Sequence, residues 1–188
     1  MAIDSGRIEA AVAEILAAIG EDPARPGLTA TPRRVAQAYT EFFSGLGVDP
    51  LEHLRESAPT EGMGDLVLLR DIRFRSICEH HLLPFTGVAH VAYLPGERIV
   101  GLGKLPLVVD TIASRPQLQE RLGEEIADAL HRGLAARGVL VVLDAVHGCV
   151  SARGSMQADS STVTVASRGA LADPVQQAGV LALVGALR

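Results

Sequence analysis

The chain has 188 residues, a net charge of −5 and a hydrophobic content of 48%, which suits one mixed domain with a real core and a helical appendage. No basic run or aromatic–basic stripe offsets the acidic balance, which argues against nucleic-acid binding. The polar N-terminus lacks a signal-peptide core, and the longest apolar stretch, residues 178–187, is too short to span a bilayer. The expectation is a soluble cytoplasmic protein without a membrane partner, whose two cysteines are thiols or metal ligands rather than a disulfide.

Residues 8–19 carry apolar side chains at helical spacing and predict a first helix, stopped by Gly20-Glu21-Asp22-Pro23. Thr31 reads as an N-cap with Pro32 at the first position of a second helix, which runs to about Ser44. Residues 45–64 are aperiodic and read as a linker, which divides the chain into a helical region, 1–62, and a main domain, 63–188. Beyond the linker, residues 66–74 read as a strand and 76–85 as a loop or broken strand. Residues 87–94 read as a second strand, closed by the turn signal Pro95-Gly96-Glu97. Helices are predicted over 105–114 and 116–137, the second burying Leu118, Leu122, Ile126 and Leu130 and ending at Gly138. Strands over 139–150 and 161–167 complete the order. The fold class is therefore α+β, an antiparallel sheet with helices on one face and an N-terminal helical extension.

Cys78-Glu79-His80-His81 places a thiol and an imidazole three residues apart, and His147-Gly148-Cys149 repeats the theme far downstream. If 139–150 is one strand, His147 and Cys149 share a face. Two Cys and one His suit zinc, and three protein ligands leave the fourth position that catalytic zinc sites keep open. His80 and His147 would then serve as proton carriers, since imidazole titrates near neutrality. Taken singly, each pair reads as buried thiols or chance histidines. Together they gather both cysteines and three of the six histidines into two short segments. Lys104, the one lysine among seventeen basic residues, is a second point of interest, because ammonium and guanidinium are not interchangeable at a phosphate.

These motifs, with Thr31-Pro32-Arg33-Arg34-Val35-Ala36, Leu82-Leu83-Pro84-Phe85, Arg115-Pro116-Gln117-Leu118-Gln119-Glu120-Arg121-Leu122 and Arg153-Gly154, resemble the GTP cyclohydrolase I family of the tunnelling (T-fold) superfamily. The resemblance covers about residues 30–169 in the family's order. It implies a ββααββ subunit closing with its neighbours into an oligomeric barrel, a homodecamer of two stacked five-membered rings. It also implies Zn²⁺ held by Cys78, His81 and Cys149, and hydrolysis at C8 of GTP. Formate would be released and 7,8-dihydroneopterin triphosphate formed. His147 would assist at N7, His80 and His81 would belong to the catalytic set, and Glu120 with Gln119 beside it would anchor the guanine. Arg34, Lys104 and Arg153 would hold the triphosphate.

The chain departs from the family's pattern at Gly103, where serine is usual, at Leu107, where arginine is common, and at Gln37, where lysine is common. Ser155-Met156-Gln157 lacks a basic residue, and residues 171–188 lack the usual aromatic and charged character. These changes thin the positive charge around the phosphate tail. Two alternatives to the full enzyme follow: a related hydrolase of another guanine or purine derivative, or a non-catalytic purine- or pterin-binding homologue.

Overall fold

The computed structural model describes residues 3–60, 64–154 and 156–185. Residues 61–63 of the predicted linker, with the 62/63 boundary, lie outside the described residues, as do Ser155 and the end of the apolar stretch at Ala186 and Leu187. Two helices, α1 (Ser5–Ala18) and α2 (Thr31–Phe42), pack on each other at the N-terminus. Asp4 caps α1 by accepting the N–H of Arg7 at 3.0 Å. Thr31 does not cap α2. The preceding turn, closed by Thr31 N–H to Leu28 O at 2.8 Å, already curls the chain, so Ala30 holds the cap position and the Thr31 hydroxyl donates to Gly27 O. Tyr39, Phe42 and Phe43 cluster at the far end of α2, where the Arg75 guanidinium lies over Phe42.

The predicted linker is built into the body. It contains a 3₁₀ turn, Pro50–Leu54, and a short strand, β1 (Ser57–Pro59), which pairs antiparallel with β4 (Arg98–Val100). Asp49 caps the turn through Leu51 N–H at 3.0 Å, and Leu54 is buried in the main core. Units of three to five residues leave no periodicity to detect.

The main sheet has the order β5-β2-β3-β6-β7, comprising β2 (Val67–Cys78), β3 (Pro84–Leu94), β5 (Pro116–Gln117), β6 (Gly138–His147) and β7 (Thr162–Gly169). All its pairings are antiparallel except that of β5 with β2. Strand β2 runs unbroken to Cys78, so the loop expected over 76–85 shrinks to five residues between β2 and β3. One face carries Phe74, Val91, Tyr93, Val141 and Leu143 against α3 (Lys104–Ala113) and α4 (Gln119–Gly133), whose Ile112, Leu122, Ile126 and Leu130 complete the core. Burying each such side chain contributes about 1.5–3 kcal/mol.

Three boundaries differ from the periodic reading. The helix expected over 116–137 yields its first two residues to β5 and ends at Gly133, with Ala135 left-handed at φ 46°. Gly138 begins β6 instead of ending the helix, and a Cβ there would lie 2.7 Å from the backbone nitrogen of Leu171. Strand β6 stops at His147, and a helical turn, α5 (Gly148–Ser151), follows. Helices also lie on both faces of the sheet, not one. Ala92, Leu140 and Val142 of the reverse face are covered by Leu171 and by Val180 of α6 (Pro174–Gly185). No helix among the described residues is long and apolar enough to cross a membrane.

Candidate active site

Cys78 is the last residue of β2 and is buried between two neighbours. It pairs in register with Gln117 of β5, and its N–H donates to Leu83 O at 2.9 Å across the turn that follows. The turn is tight. Leu82 N–H donates back to Cys78 O at 2.8 Å while Leu82 takes φ 52°, and Glu79 N–H donates to Gln117 O at 3.1 Å. A left-handed leucine costs about 1–2 kcal/mol, which these bonds hold in place. The turn folds His81 back over the end of the strand.

Cys149 arrives from the neighbouring strand pair. His147, the last residue of β6, lies opposite Phe85 of β3, and the chain then turns at Gly148, where a Cβ would lie 2.8 Å from Pro84 O. The helical turn α5, and not a continued strand, directs Cys149 inward. The convergence expected from strand alternation is thus achieved by a different backbone. The donor atoms of Cys78, His81 and Cys149 all lie within 4.8 Å of one another, and both cysteines are free thiols.

Donor atoms around a tetrahedral zinc sit roughly 3.3–3.8 Å apart, so small side-chain movements suffice to close this set on an ion. Burial pushes the Cys149 thiol up, Cys78 adds to the effect, and Arg153 pulls the other way. A cation here would favour the thiolates that burial disfavours. The donor set fits a divalent metal.

Over the cluster lies a cleft of about 190 Å³, lined by Cys78, His80, Phe85, Gln117, Leu118, Gln119, Glu120, His147 and Cys149. His147 stacks flat on Phe85, ring centroids 4.7 Å apart, and its Nε2 lies 2.6 Å from Gln119 Oε1. Burial lowers its pKa below the usual histidine value, against the opposing pull of the Glu120 charge. His80 is exposed at the rim and meets His81 edge to face. Glu120 is exposed in the first turn of α4, where the helix dipole favours a carboxylate.

The residues assigned to the phosphate tail are not gathered in this way. Arg153 is close enough for its charge to reach Cys149. Lys104 begins α3 and is ion-paired to Glu56 at 2.7 Å, and Arg34 is exposed on α2; neither lines the cleft. A larger hollow at Pro59, Gly96, Arg98 and Arg137 has its guanidinium groups tied to Ser57, Pro95 O and Gly64 O.

Sequence reasoning missed the supports around the site. The Arg121 guanidinium bonds Glu79 of the turn after Cys78, Gln117 Oε1 at 3.0 Å and Pro116 O at 3.1 Å, so α4 clamps the turn that carries His81. The buried Gln117 amide in turn donates to Ile112 O and Glu125. Phe85 supplies the platform for His147. Glu79, Phe85, Pro116, Gln117 and Arg121 fall inside the quoted motifs, but spacing alone gives an Arg on a helix no reason to reach a turn 42 residues away.

A family profile described as GTP cyclohydrolase I matches residues 8–185. GTP cyclohydrolase 1 of Leifsonia xyli is 63% identical over 183 residues, covering 97% of this chain and 96% of that protein. The proteins of the same name from Rhodopirellula baltica and Carboxydothermus hydrogenoformans are 51% and 52% identical, each over 97% of this chain and over 80% and 96% of their own lengths. With likeness along nearly the whole chain, and with thiols, imidazoles and a carboxylate meeting in one cleft, the chain belongs to the GTP cyclohydrolase I family of hydrolases.

Proposed function

We propose that the chain is a zinc-dependent GTP cyclohydrolase I that hydrolyses the guanine imidazole ring of GTP at C8, releases formate and forms 7,8-dihydroneopterin triphosphate. One observation carries the reading: the donor atoms of Cys78, His81 and Cys149 lie within 4.8 Å of one another, and the two cysteines line one cleft with His147 and Glu120. Cys78, His81 and Cys149 would hold the zinc, whose contribution when bound is the Lewis acidity that brings the pKa of water towards neutrality. Glu120 accepts from the N–H groups on the edge of the guanine, a charge-assisted contact that fixes which ring atoms face the cluster. His147, whose neutral form burial favours, exchanges a proton at N7, and His80 at the rim carries protons to and from solvent. Arg153, Lys104 and Arg34 bind the phosphates.

The catalytic unit in this reading is residues 63–188, with 1–62 as its helical appendage. The cleft, at about 190 Å³, is smaller than the roughly 300 Å³ at which ligand pockets begin, which supports a site completed by neighbouring copies. A T-fold barrel of ten chains in two rings would supply those walls and bring Lys104 and Arg34 to a neighbour's substrate. The two free thiols suit a reducing compartment, the cytoplasm.

A second reading, a relative acting on a less phosphorylated guanine derivative or stopping after ring opening, is favoured by Lys104 being engaged by Glu56 and by Leu107 standing 44% exposed on α3. Incubating zinc-loaded protein with GTP, GMP and guanosine, and following formate and pterin fluorescence separately, distinguishes the readings. Formate and fluorescence from GTP, both abolished by a chelator, are expected. Formate without fluorescence, or turnover of GMP alone, would establish the second reading, and no formate from any of the three would contradict both.

A further inference from the structure

The Gln119 side chain is 2% exposed, so its amide must be satisfied by protein. Its nitrogen donates to Leu143 O at 3.2 Å and Thr162 O at 2.8 Å, with Thr164 Oγ1 also at 3.2 Å. Two carbonyl oxygens can only accept, and an amide NH₂ has two hydrogens, so these bonds consume both. Turning the amide over would set Oε1 against those two carbonyls with no hydrogen between. The orientation of Gln119 is therefore fixed by its surroundings, and Oε1 faces His147.

At 2.6 Å from Oε1, the ring atom of His147 must be a nitrogen, because a C–H···O contact sits about 3.3–3.6 Å apart. Oε1 has no hydrogen to give, so the nitrogen is the donor. Nε2 therefore keeps its proton whether the ring is neutral or charged. One face of the ring is covered by Phe85, and the ring lines the cleft. The one nitrogen left with a lone pair to offer is Nδ1.

We propose that Gln119 is a positioning residue that holds His147 in the tautomer protonated at Nε2, so that Nδ1 is the atom through which His147 exchanges a proton with the bound purine. This rests on the reading of His147 as the proton carrier at N7. It also moves Gln119 away from the guanine, where the resemblance places it, since both hydrogens of its amide and its oxygen are already engaged inside the protein. The same bonds tie α4 to β6 and β7, so a merely structural role is the rival explanation.

The test is ¹⁵N NMR of histidine-labelled, zinc-loaded protein at about pH 8, where an ordinary imidazole is neutral. The His147 signals are assigned by their loss in His147→Asn. The expected spectrum has the one-bond N–H coupling at Nε2 and an unprotonated Nδ1; a proton on Nδ1 would overturn the proposal. In Gln119→Met, whose thioether is only a weak acceptor, the expected result is a mixture of tautomers. With it, kcat should fall roughly 10- to 100-fold at a KM within about threefold of the parent, less than the roughly 10⁴-fold lost when a catalytic histidine is held wholly in the wrong tautomer, because a mixture keeps part of the working form. A variant with mixed tautomers and unchanged kcat would also overturn it. If Gln119→Met does not fold, the spectrum of the unaltered protein decides alone. Absence of formate release by the unaltered protein would remove the reading of the activity, and the spectrum would still decide the tautomer.

Discussion

Glu120 lies in the first turn of α4 with its carboxylate exposed at the cleft, near enough to raise the proton affinity of His147 against burial. Replacing it by Gln keeps the shape but puts an NH₂ group where the guanine edge presents its own N–H groups. A hydrogen bond to a charged group contributes about 1.5–3 kcal/mol, so Glu120→Gln should lower kcat/KM for GTP by roughly 10- to 100-fold. Steady-state formate release measures this, and a change of less than about twofold would remove Glu120 from the role. Cys149→Ser replaces a soft donor by a weak one while leaving the helical turn α5 intact, so bound zinc and formate release should be lost together. A Cys149→Ser protein that retains its zinc through dialysis would show that the metal is held elsewhere.

At the scale of elements, the stretch before β2 offers a direct check, because Leu54 is 2% exposed in the main core although it lies in a segment without periodicity. Leu54→Ala should cost about 2–5 kcal/mol in denaturant unfolding, the usual range for a buried leucine. A loss below about 0.5 kcal/mol, typical of surface changes, would mean that the segment does not belong to the core. Helix α4 is also fastened to β7 by Arg168, which bonds Asp128 at 2.7 Å and Glu124. Arg168 lowers the Asp128 pKa, so this contribution is complete above the unfolded carboxylate value of about 3.9 and is lost as pH falls through the lower folded value. Both partners are partly exposed, which limits it to under about 1 kcal/mol. Unfolding curves of Asp128→Asn and the parent should therefore differ at neutral pH and converge as pH falls below the unfolded carboxylate value, and a constant gap would contradict the linkage.

The elements that the sequence made legible are those with enough turns or alternations to show a period. Helices α1 and α4 and strands β3 and β6 are of this kind, though their ends moved by several residues. Strand β5, with two residues, and the 3₁₀ turn at Pro50–Leu54 were invisible because they exist through partners far along the chain, Cys78 and the core around Leu134. The site shows the same division. Cys78, His81, Cys149 and His147 stand out in the sequence because metal binding and proton transfer demand particular residue types, and the fold brings the first three within 4.8 Å and sets His147 in a cleft with both cysteines. The bonds from Gln119 to two β-sheet carbonyls were not legible, because nothing in its spacing reveals them.

For the whole molecule, the single chain leaves Val163 and Val165 on β7 exposed at 59% and 43%, and β7 has β6 as its one neighbour at the edge of the sheet. A strand with one open edge and an apolar face is the kind of edge that assembly covers. If neighbouring copies complete the cleft, dilution that dissociates the protein, followed by sedimentation, should remove formate release while zinc stays bound to the separated chains. Activity that persists in monomers would contradict a shared site.

Zinc K-edge X-ray absorption on the loaded protein bears most directly on the three-ligand centre. The expected first shell has two sulfurs at about 2.3 Å, one imidazole nitrogen at about 2.0–2.1 Å and one lighter atom not supplied by the chain. A shell of four protein donors, or one without sulfur, would contradict a catalytic metal held by Cys78, His81 and Cys149.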